Sequence, residues 1–174
     1  MKKSLLLFLP LILFISCEVD VTTTVNEIEP NNTTSTAQSV SADGTVYRGT
    51  VSPAGDYDGF KLYGEAGRVY TFRVLWESGS SFNVYCQVYT DTGLIGYVNE
   101  NGAASNETVV LSVTGSGNFY LVISDYLDSY TGGYTFTVTD QSQSYSGVDS
   151  ESESDSGSGT VENGNLPGKP SQFE

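Results

Sequence analysis

The sequence predicts an all-β protein, an antiparallel, jelly-roll-like β-sandwich of about eight strands. Between residues 27 and 140, apolar and polar side chains alternate with a period of two, as they do along a strand that buries one face. Gly, Asn, Asp or Ser interrupts this alternation at short, regular intervals, which is typical of strands joined by turns. No segment has the apolar spacing of an amphipathic helix, although residues 35–38 are compatible with a single helical turn.

The alternation defines eight strands, each bounded by turn residues. They span residues 45–51, 59–63, 68–76, 81–90, 94–99, 108–113, 118–124 and 134–139. We expect the aromatic side chains on the inward faces of these strands to form the core. They are Phe60, Tyr70, Phe72, Trp76, Phe82, Phe119 and Phe136. A domain of residues 27–140 is long enough to bury one such core without a disulfide.

The first sixteen residues have the pattern of a lipoprotein signal peptide. Lys2 and Lys3 precede an apolar run at 4–15 that is too short to span a bilayer, and the small residue Ser16 stands just before Cys17. The run 13–17 resembles a bacterial lipobox, with Phe where Leu is usual. We therefore expect cleavage before Cys17 and lipidation of its thiol; the alternative is an ordinary secretory signal.

This signal predicts a position in the cell envelope, outside the cytoplasm, and leaves open which membrane holds the anchor. Residues 17–26 are expected to be a lipidated tether between the membrane and the domain. Residues 141–174 are acidic and rich in Ser and Gly, and such a segment has too few apolar side chains to offset its ordering entropy. We predict that they form a disordered tail.

The charge balance limits the partners. The chain has 7 Lys and Arg against 21 Asp and Glu, a formal net charge of −14. It therefore repels nucleic acid and anionic membrane surfaces, so membrane attachment is expected to come from the acyl chains alone. We expect a monomer.

The residue types argue against an enzyme. The chain contains no histidine, which excludes Ser-His and Cys-His catalysis and histidine-bound zinc. Cys86 alternates with apolar neighbours and is expected to be a small buried side chain. No phosphate-binding glycine loop is present. Asp56 and Asp58 form a dense carboxylate pair, so a carboxylate-based hydrolase is kept as the least favoured alternative.

Short motifs follow one another along residues 27–140. They are Glu27-Ile28-Glu29-Pro30-Asn31-Asn32, Val46-Tyr47-Arg48-Gly49-Thr50-Val51, Gly55-Asp56-Tyr57-Asp58-Gly59-Phe60, Val88-Tyr89-Thr90-Asp91-Thr92-Gly93, Gly117-Asn118-Phe119-Tyr120-Leu121-Val122-Ile123 and Gly133-Tyr134-Thr135-Phe136-Thr137-Val138. This succession resembles the bacterial pre-peptidase C-terminal domain, a family that includes the collagen-binding modules of clostridial collagenases. The resemblance implies a jelly-roll sandwich that usually accompanies a secreted peptidase and in some members binds calcium.

The resemblance also implies a ligand set for calcium. The matching residues are Glu27, Glu29 and Asn31 in the linker and Asp56 and Asp58 on the next loop, while Asn32 stands where the family has an Asp. Calcium is a hard cation that takes roughly 6–8 oxygen ligands. We expect it to fasten the linker to the sandwich as a structural cofactor. The alternative is that the two glutamates are solvated and that residues 31–32 form turns.

Two tyrosines are candidates for ligand binding. Tyr85 and Tyr89 alternate with the inward side chains of their strand, and outward tyrosines suit contacts with protein or sugar. Tyr89 resembles a collagen-contacting tyrosine of the collagenase modules, whereas Ser124 stands where those modules have another. The alternative is that both tyrosines are half-buried on the sheet.

These observations predict a non-catalytic, lipid-anchored binding or accessory module that recognises an extracellular protein or polysaccharide. The alternative is a structural lipoprotein that tethers a partner peptidase or envelope protein and binds no small ligand.

Overall fold

The computed structural model describes residues 23–142, which form two five-stranded sheets packed face to face. The ten strands are β1 (Thr24–Asn26), β2 (Gln38–Ser39), β3 (Asp43–Val51), β4 (Tyr57–Gly64), β5 (Val69–Trp76), β6 (Val84–Thr90), β7 (Gly93–Val98), β8 (Glu107–Ser112), β9 (Gly117–Asp125) and β10 (Gly132–Asp140). The predicted all-β sandwich is confirmed. Within residues 23–142, no helix has the length and apolar character needed to cross a membrane.

The first sheet has the strand order β1-β3-β10-β5-β8, and the second has the order β2-β4-β9-β6-β7. Pairing is antiparallel except for the parallel pairs β1–β3 and β2–β4. The eight predicted strands correspond to β3 to β10. The two additional strands contain three and two residues, which is too short for an alternation to be read from the sequence.

Strand β1 lies within the segment that was predicted to be a tether. It pairs in parallel with β3, with Asn26 opposite Arg48, so the ordered domain begins before residue 27. The predicted signal peptide, Cys17 and the tail beyond residue 142 lie outside the described residues. The predicted helical turn is a short turn at residues 34–36, where the Ala37 amide donates to the Thr33 carbonyl oxygen at 2.8 Å.

The inward faces of both sheets form one apolar core. At its centre the rings of Phe60 and Phe136 lie 4.5 Å apart between centroids, and each such ring contributes roughly 1.5–3 kcal/mol through burial. Every predicted core aromatic residue is buried except Trp76, which is partly buried. Cys86 is fully buried, which confirms its predicted place, and it has no disulfide partner within residues 23–142. Burial raises the pKa of its thiol.

The two ends of the sandwich differ in what they carry. At the end that we call the terminal end, β3 begins and β10 ends, and Arg68 forms an ion pair with Asp140 at 3.2 Å. Because β1 runs parallel to β3, the described chain both enters and leaves there. The opposite end, which we call the distal end, carries the loops 52–56, 77–83, 99–106 and 126–131.

The first residue of β10 tests how tightly this core is packed. A Cβ atom added at Gly132 would lie 2.6 Å from Cβ of the buried Phe82 and even closer to its ring, whereas one added at Gly117, the first residue of β9, would meet nothing within 4 Å. We expect Gly132→Ala to lower the free energy of unfolding by about 1–3 kcal/mol through overpacking. Gly117→Ala should change the free energy of unfolding by no more than about 0.5 kcal/mol. Equal midpoints in urea denaturation for the two variants would contradict this packing.

Candidate metal centre

Three segments that are distant in sequence meet between the two sheets. Glu27 follows β1 and is held on β3, where its amide donates to the Arg48 carbonyl oxygen at 2.8 Å and its Oε1 accepts from the Thr50 amide at 2.6 Å. Four residues later, the Asn31 carbonyl oxygen accepts from the Gly59 amide of β4 at 3.1 Å. Residues 27–31 therefore cross from the first sheet to the second.

This crossing gathers three carboxylates. Glu27, Glu29 and Asp58 each offer an oxygen, and the three oxygens lie within 4.8 Å of one another. Asp58 is 0% exposed, Glu27 is partly buried and Glu29 is exposed. Among residues 23–142, none of the three forms an ion pair with a Lys or Arg, so their negative charge has no local balance.

The Tyr134 hydroxyl lies between two of these carboxylates. It donates to Asp58 Oδ2 at 2.6 Å and also lies 3.3 Å from Glu27 Oε2. Tyr134 belongs to β10 in the first sheet, whereas Asp58 belongs to β4 in the second. The hydroxyl therefore links the sheets through a polar contact inside the core.

The sequence prediction did not assign Tyr134 to this site. In the alternation of β10 it shares a face with Phe136 and Val138, which indicates a core position and nothing more. Its partner Asp58 lies 76 positions earlier in the chain. Only the pairing of the strands brings the two side chains together, so no local sequence signal was available.

Gly49 leaves room for this arrangement. A Cβ atom at this position of β3 would collide with the Tyr134 hydroxyl and would lie 2.5 Å from Glu27 Oε2. A real Cβ atom essentially never approaches a neighbour that closely. The absence of a side chain at residue 49 is therefore a requirement of the site and not of a turn.

Two buried groups at the site lack hydrogen-bond partners within the described residues. Asn31 is 0% exposed, and both of its polar side-chain atoms, Oδ1 and Nδ2, are unpartnered, as is Oδ1 of Asp58. A buried polar atom left in this state costs about 1–3 kcal/mol. The three clustered carboxylates and the amide of Asn31 have oxygen as their only metal-binding atom, which fits a hard cation such as Ca²⁺ and not a metal that prefers sulfur or imidazole.

The electrostatics of the cluster reflect burial and mutual repulsion. Burial raises the pKa of Asp58 to about 9; the Tyr134 hydrogen bond acts in the opposite direction, and the negative charge of Glu27 adds to the rise. Burial also raises the pKa of Glu27 and raises that of Tyr134 well above its usual value. A bound cation would oppose these effects by favouring the charged carboxylates.

Asn32 and Asp56 lie beside the cluster but bond to each other. Asn32 Nδ2 donates to Asp56 Oδ1 at 2.8 Å. Asp56 also accepts from the Tyr57 amide at 3.0 Å and from the Ser52 amide at 3.2 Å. The carboxylate group formed by Glu27, Glu29 and Asp58 does not include Asp56, so the predicted ligand roles of Asn32 and Asp56 stay predictions.

The two tyrosines predicted to bind a ligand lie elsewhere, on the outer face of the second sheet. Tyr85 is 3% exposed and Tyr89 is 2% exposed. The ring of Tyr85 packs against Tyr97, and Tyr89 packs with Tyr120 and neighbouring side chains in a small outer cluster. Both are more buried than the half-buried alternative, and their ligand-binding role stays a prediction.

No protein-family profile matches the chain, and no curated protein matches it. Among solved structures, the pre-peptidase C-terminal domain of a collagenase from Bacillus anthracis is similar, with a TM-score of 0.46 and 16% identity, covering 59% of this chain and 94% of that one. PliG of Aeromonas hydrophila, a periplasmic lysozyme inhibitor of g-type lysozyme, has a TM-score of 0.41 and 15% identity, covering 68% of this chain and 96% of that one. PliG of Salmonella Typhimurium has a TM-score of 0.36 and 12% identity, covering 68% of this chain and 99% of that one. At this level of similarity, function has to be inferred from the chain's own residues.

Proposed function

We propose that this chain is a lipid-anchored, extracytoplasmic, non-catalytic binding or accessory module whose N-terminal segment is fastened to the sandwich by calcium. The observation that carries the calcium part is the pair of unpartnered buried groups, Asn31 and Asp58, beside two further carboxylates. Glu27, Glu29, Asn31 and Asp58 would hold the ion. Bound there, calcium supplies charge balance and a cross-link between the two sheets.

The two outer faces differ in a way that favours recognition. The outer face of the first sheet is largely polar, with Thr135, Thr137 and Thr139 along the central strand β10. The outer face of the second sheet carries the tyrosines Tyr57, Tyr85, Tyr89, Tyr97 and Tyr120. Tyr85, Tyr89 and Tyr120 are buried there, so contact with a ligand would fall to the partly exposed Tyr57 and Tyr97, because tyrosines offer large contact areas and lose little conformational entropy on binding. A protein or a polysaccharide is the expected ligand of this face.

A purely structural role, in which the module holds a partner peptidase or envelope protein near the membrane, is the second candidate. It is favoured by the position of the carboxylate cluster, which joins the N-terminal segment to the fold and not to an open cleft. The same burial disfavours a hydrolase, because Asp58 is fully enclosed and a sugar could not reach its carboxylate.

Calcium binding is tested by thermal unfolding in calcium and then in chelator. An ion that binds only the folded state stabilises it by about 2.7 kcal/mol when its concentration is 100 times the dissociation constant. We expect calcium to raise the melting temperature of the wild type and to leave that of Glu29→Gln unchanged. The matched control Glu65→Gln, which alters an exposed carboxylate at the terminal end, should show the same rise as the wild type. Identical wild-type curves at millimolar calcium would remove the site.

Lipid attachment is tested by metabolic labelling with palmitate in a bacterial host. The chain has two cysteines, and Cys86 is fully buried, so incorporation should depend on Cys17 alone. We expect Cys17→Ser to abolish labelling and to release the protein from the membrane fraction. Cys86→Ala is the matched control and should be labelled like the wild type; label retained in Cys17→Ser would refute the anchor.

Recognition is tested on an array of glycans and matrix proteins. We expect at least one specific ligand, with a signal reduced about tenfold or more by Tyr97→Ala, because truncating an aromatic contact residue commonly costs more than 1 kcal/mol. Thr137→Ala, on the outer face of the first sheet, is the control and should leave the signal unchanged. Uniform silence of the wild-type protein would favour the structural role.

A further inference from the structure

The loop between β9 and β10, residues 126–131, presents three large apolar side chains to solvent. Tyr126 is 48% exposed, Leu127 is 61% exposed and Tyr130 is 42% exposed. These are three of the six exposed large hydrophobic residues found among residues 23–142. Single exposed apolar side chains are ordinary on a surface, but a concentration of them within five residues points to an interaction.

The loop is held in shape by one buried carboxylate. Asp125 Oδ2 accepts from the amides of Leu127, Ser129 and Tyr130 at 3.2, 2.9 and 3.2 Å. Asp125 Oδ1 accepts from the Asn83 amide of the neighbouring loop at 3.0 Å. Because the exposed side chains stand on backbone that is already ordered, a partner would lose less free energy to loop ordering on binding.

The loop is also continuous with the aromatic face of the second sheet. The ring of Tyr126 packs edge-on against Tyr85, with centroids 5.6 Å apart, and Tyr85 packs against Tyr97 at 5.8 Å. Leu127 and Tyr130 follow on the same loop and are exposed. They are free to enter pockets on a partner, whereas Tyr126 is fixed by its neighbour.

The charge around the loop is of one sign. The four distal loops contain Asp56, Glu77, Glu100 and Asp128 and no Lys or Arg; Asp56 is buried, so the charges open to a partner are those of Glu77, Glu100 and Asp128. The nearby Arg48 is paired with Glu77 at 2.9 Å. A surface of this kind attracts a positively charged partner and repels nucleic acid, anionic lipid and acidic polysaccharide.

We propose that the 126–131 loop is a docking site for a basic protein surface, with Leu127 and Tyr130 as the apolar anchors and the acidic distal loops pairing with Lys and Arg around them. The site lies at the distal end, opposite the point where the chain enters and leaves the fold. This inference rests on the proposed recognition function and assigns it a place and a partner chemistry.

The test uses the full chain and a phage library of short random peptides, with the selected peptides sequenced and synthesised. We expect the selected peptides to combine Lys or Arg with aromatic or aliphatic residues. Their affinity should fall at least about tenfold in the double variant Leu127→Ala, Tyr130→Ala. The matched control is Leu94→Ala, Tyr63→Ala, which removes an exposed Leu and Tyr from the terminal end and should leave the affinity unchanged.

The outcomes separate this inference from the broader proposal. Peptides that bind the loop variant and the wild type equally would overturn the loop and leave the recognition function in place. Selection of peptides without basic residues would overturn the basic partner alone. No selection of peptides while a neutral glycan binds on the array would overturn the protein docking site and leave the recognition function in place. If no peptide is selected and nothing on the array binds, both the recognition function and this site would be refuted.

Discussion

The hydroxyl of Tyr134 joins the three parts of the molecule that have to stay together. It reaches from β10 of the first sheet to Asp58 of the second and lies beside Glu27 of the N-terminal segment. The ring that carries it is packed against Phe60, so a polar contact is embedded in an apolar core. A buried carboxylate is tolerated only when it is hydrogen-bonded or balanced in charge, and Tyr134 supplies the hydrogen bond.

One donor cannot satisfy three carboxylates. Burial raises the pKa of Asp58, and the negative charge of Glu27 adds to the rise; this unbalanced charge gives a cation a physical reason to bind. The Asn32–Asp56 hydrogen bond also limits the repulsion between neighbouring carboxylates. An Asp at residue 32 would bring a fourth and a fifth carboxylate within hydrogen-bond distance of each other, whereas the Asn32 amide donates a hydrogen bond to Asp56 and replaces that repulsion with an attraction.

The sequence was informative wherever a pattern is local. The alternation along β5, with Tyr70, Phe72 and Val74 on one face, predicted a strand and its buried side. It failed for β1 and β2, which contain three and two residues, too few to establish an alternation, and which form by pairing in parallel with β3 and β4. At the site, Glu27, Glu29 and Asp58 were predicted from the acidic motifs and the family resemblance, and the structure brings their carboxylates together. Tyr134 and Gly49 were not, because their roles arise from packing across the sheets.

The parallel pairing of β1 with β3 has a mechanical consequence. The chain enters at the terminal end and β1 runs toward the distal end, so its residues from Thr24 to Asn26 lie along β3 in the direction of pull. A force applied between the N-terminus and a partner at the distal end acts along the ladder, and all its hydrogen bonds are strained at once instead of opening one after another. Glu27, bonded to Thr50 just beyond the last pair, anchors the far end of that ladder. The geometry is suited to a module that has to stay folded while it is stretched.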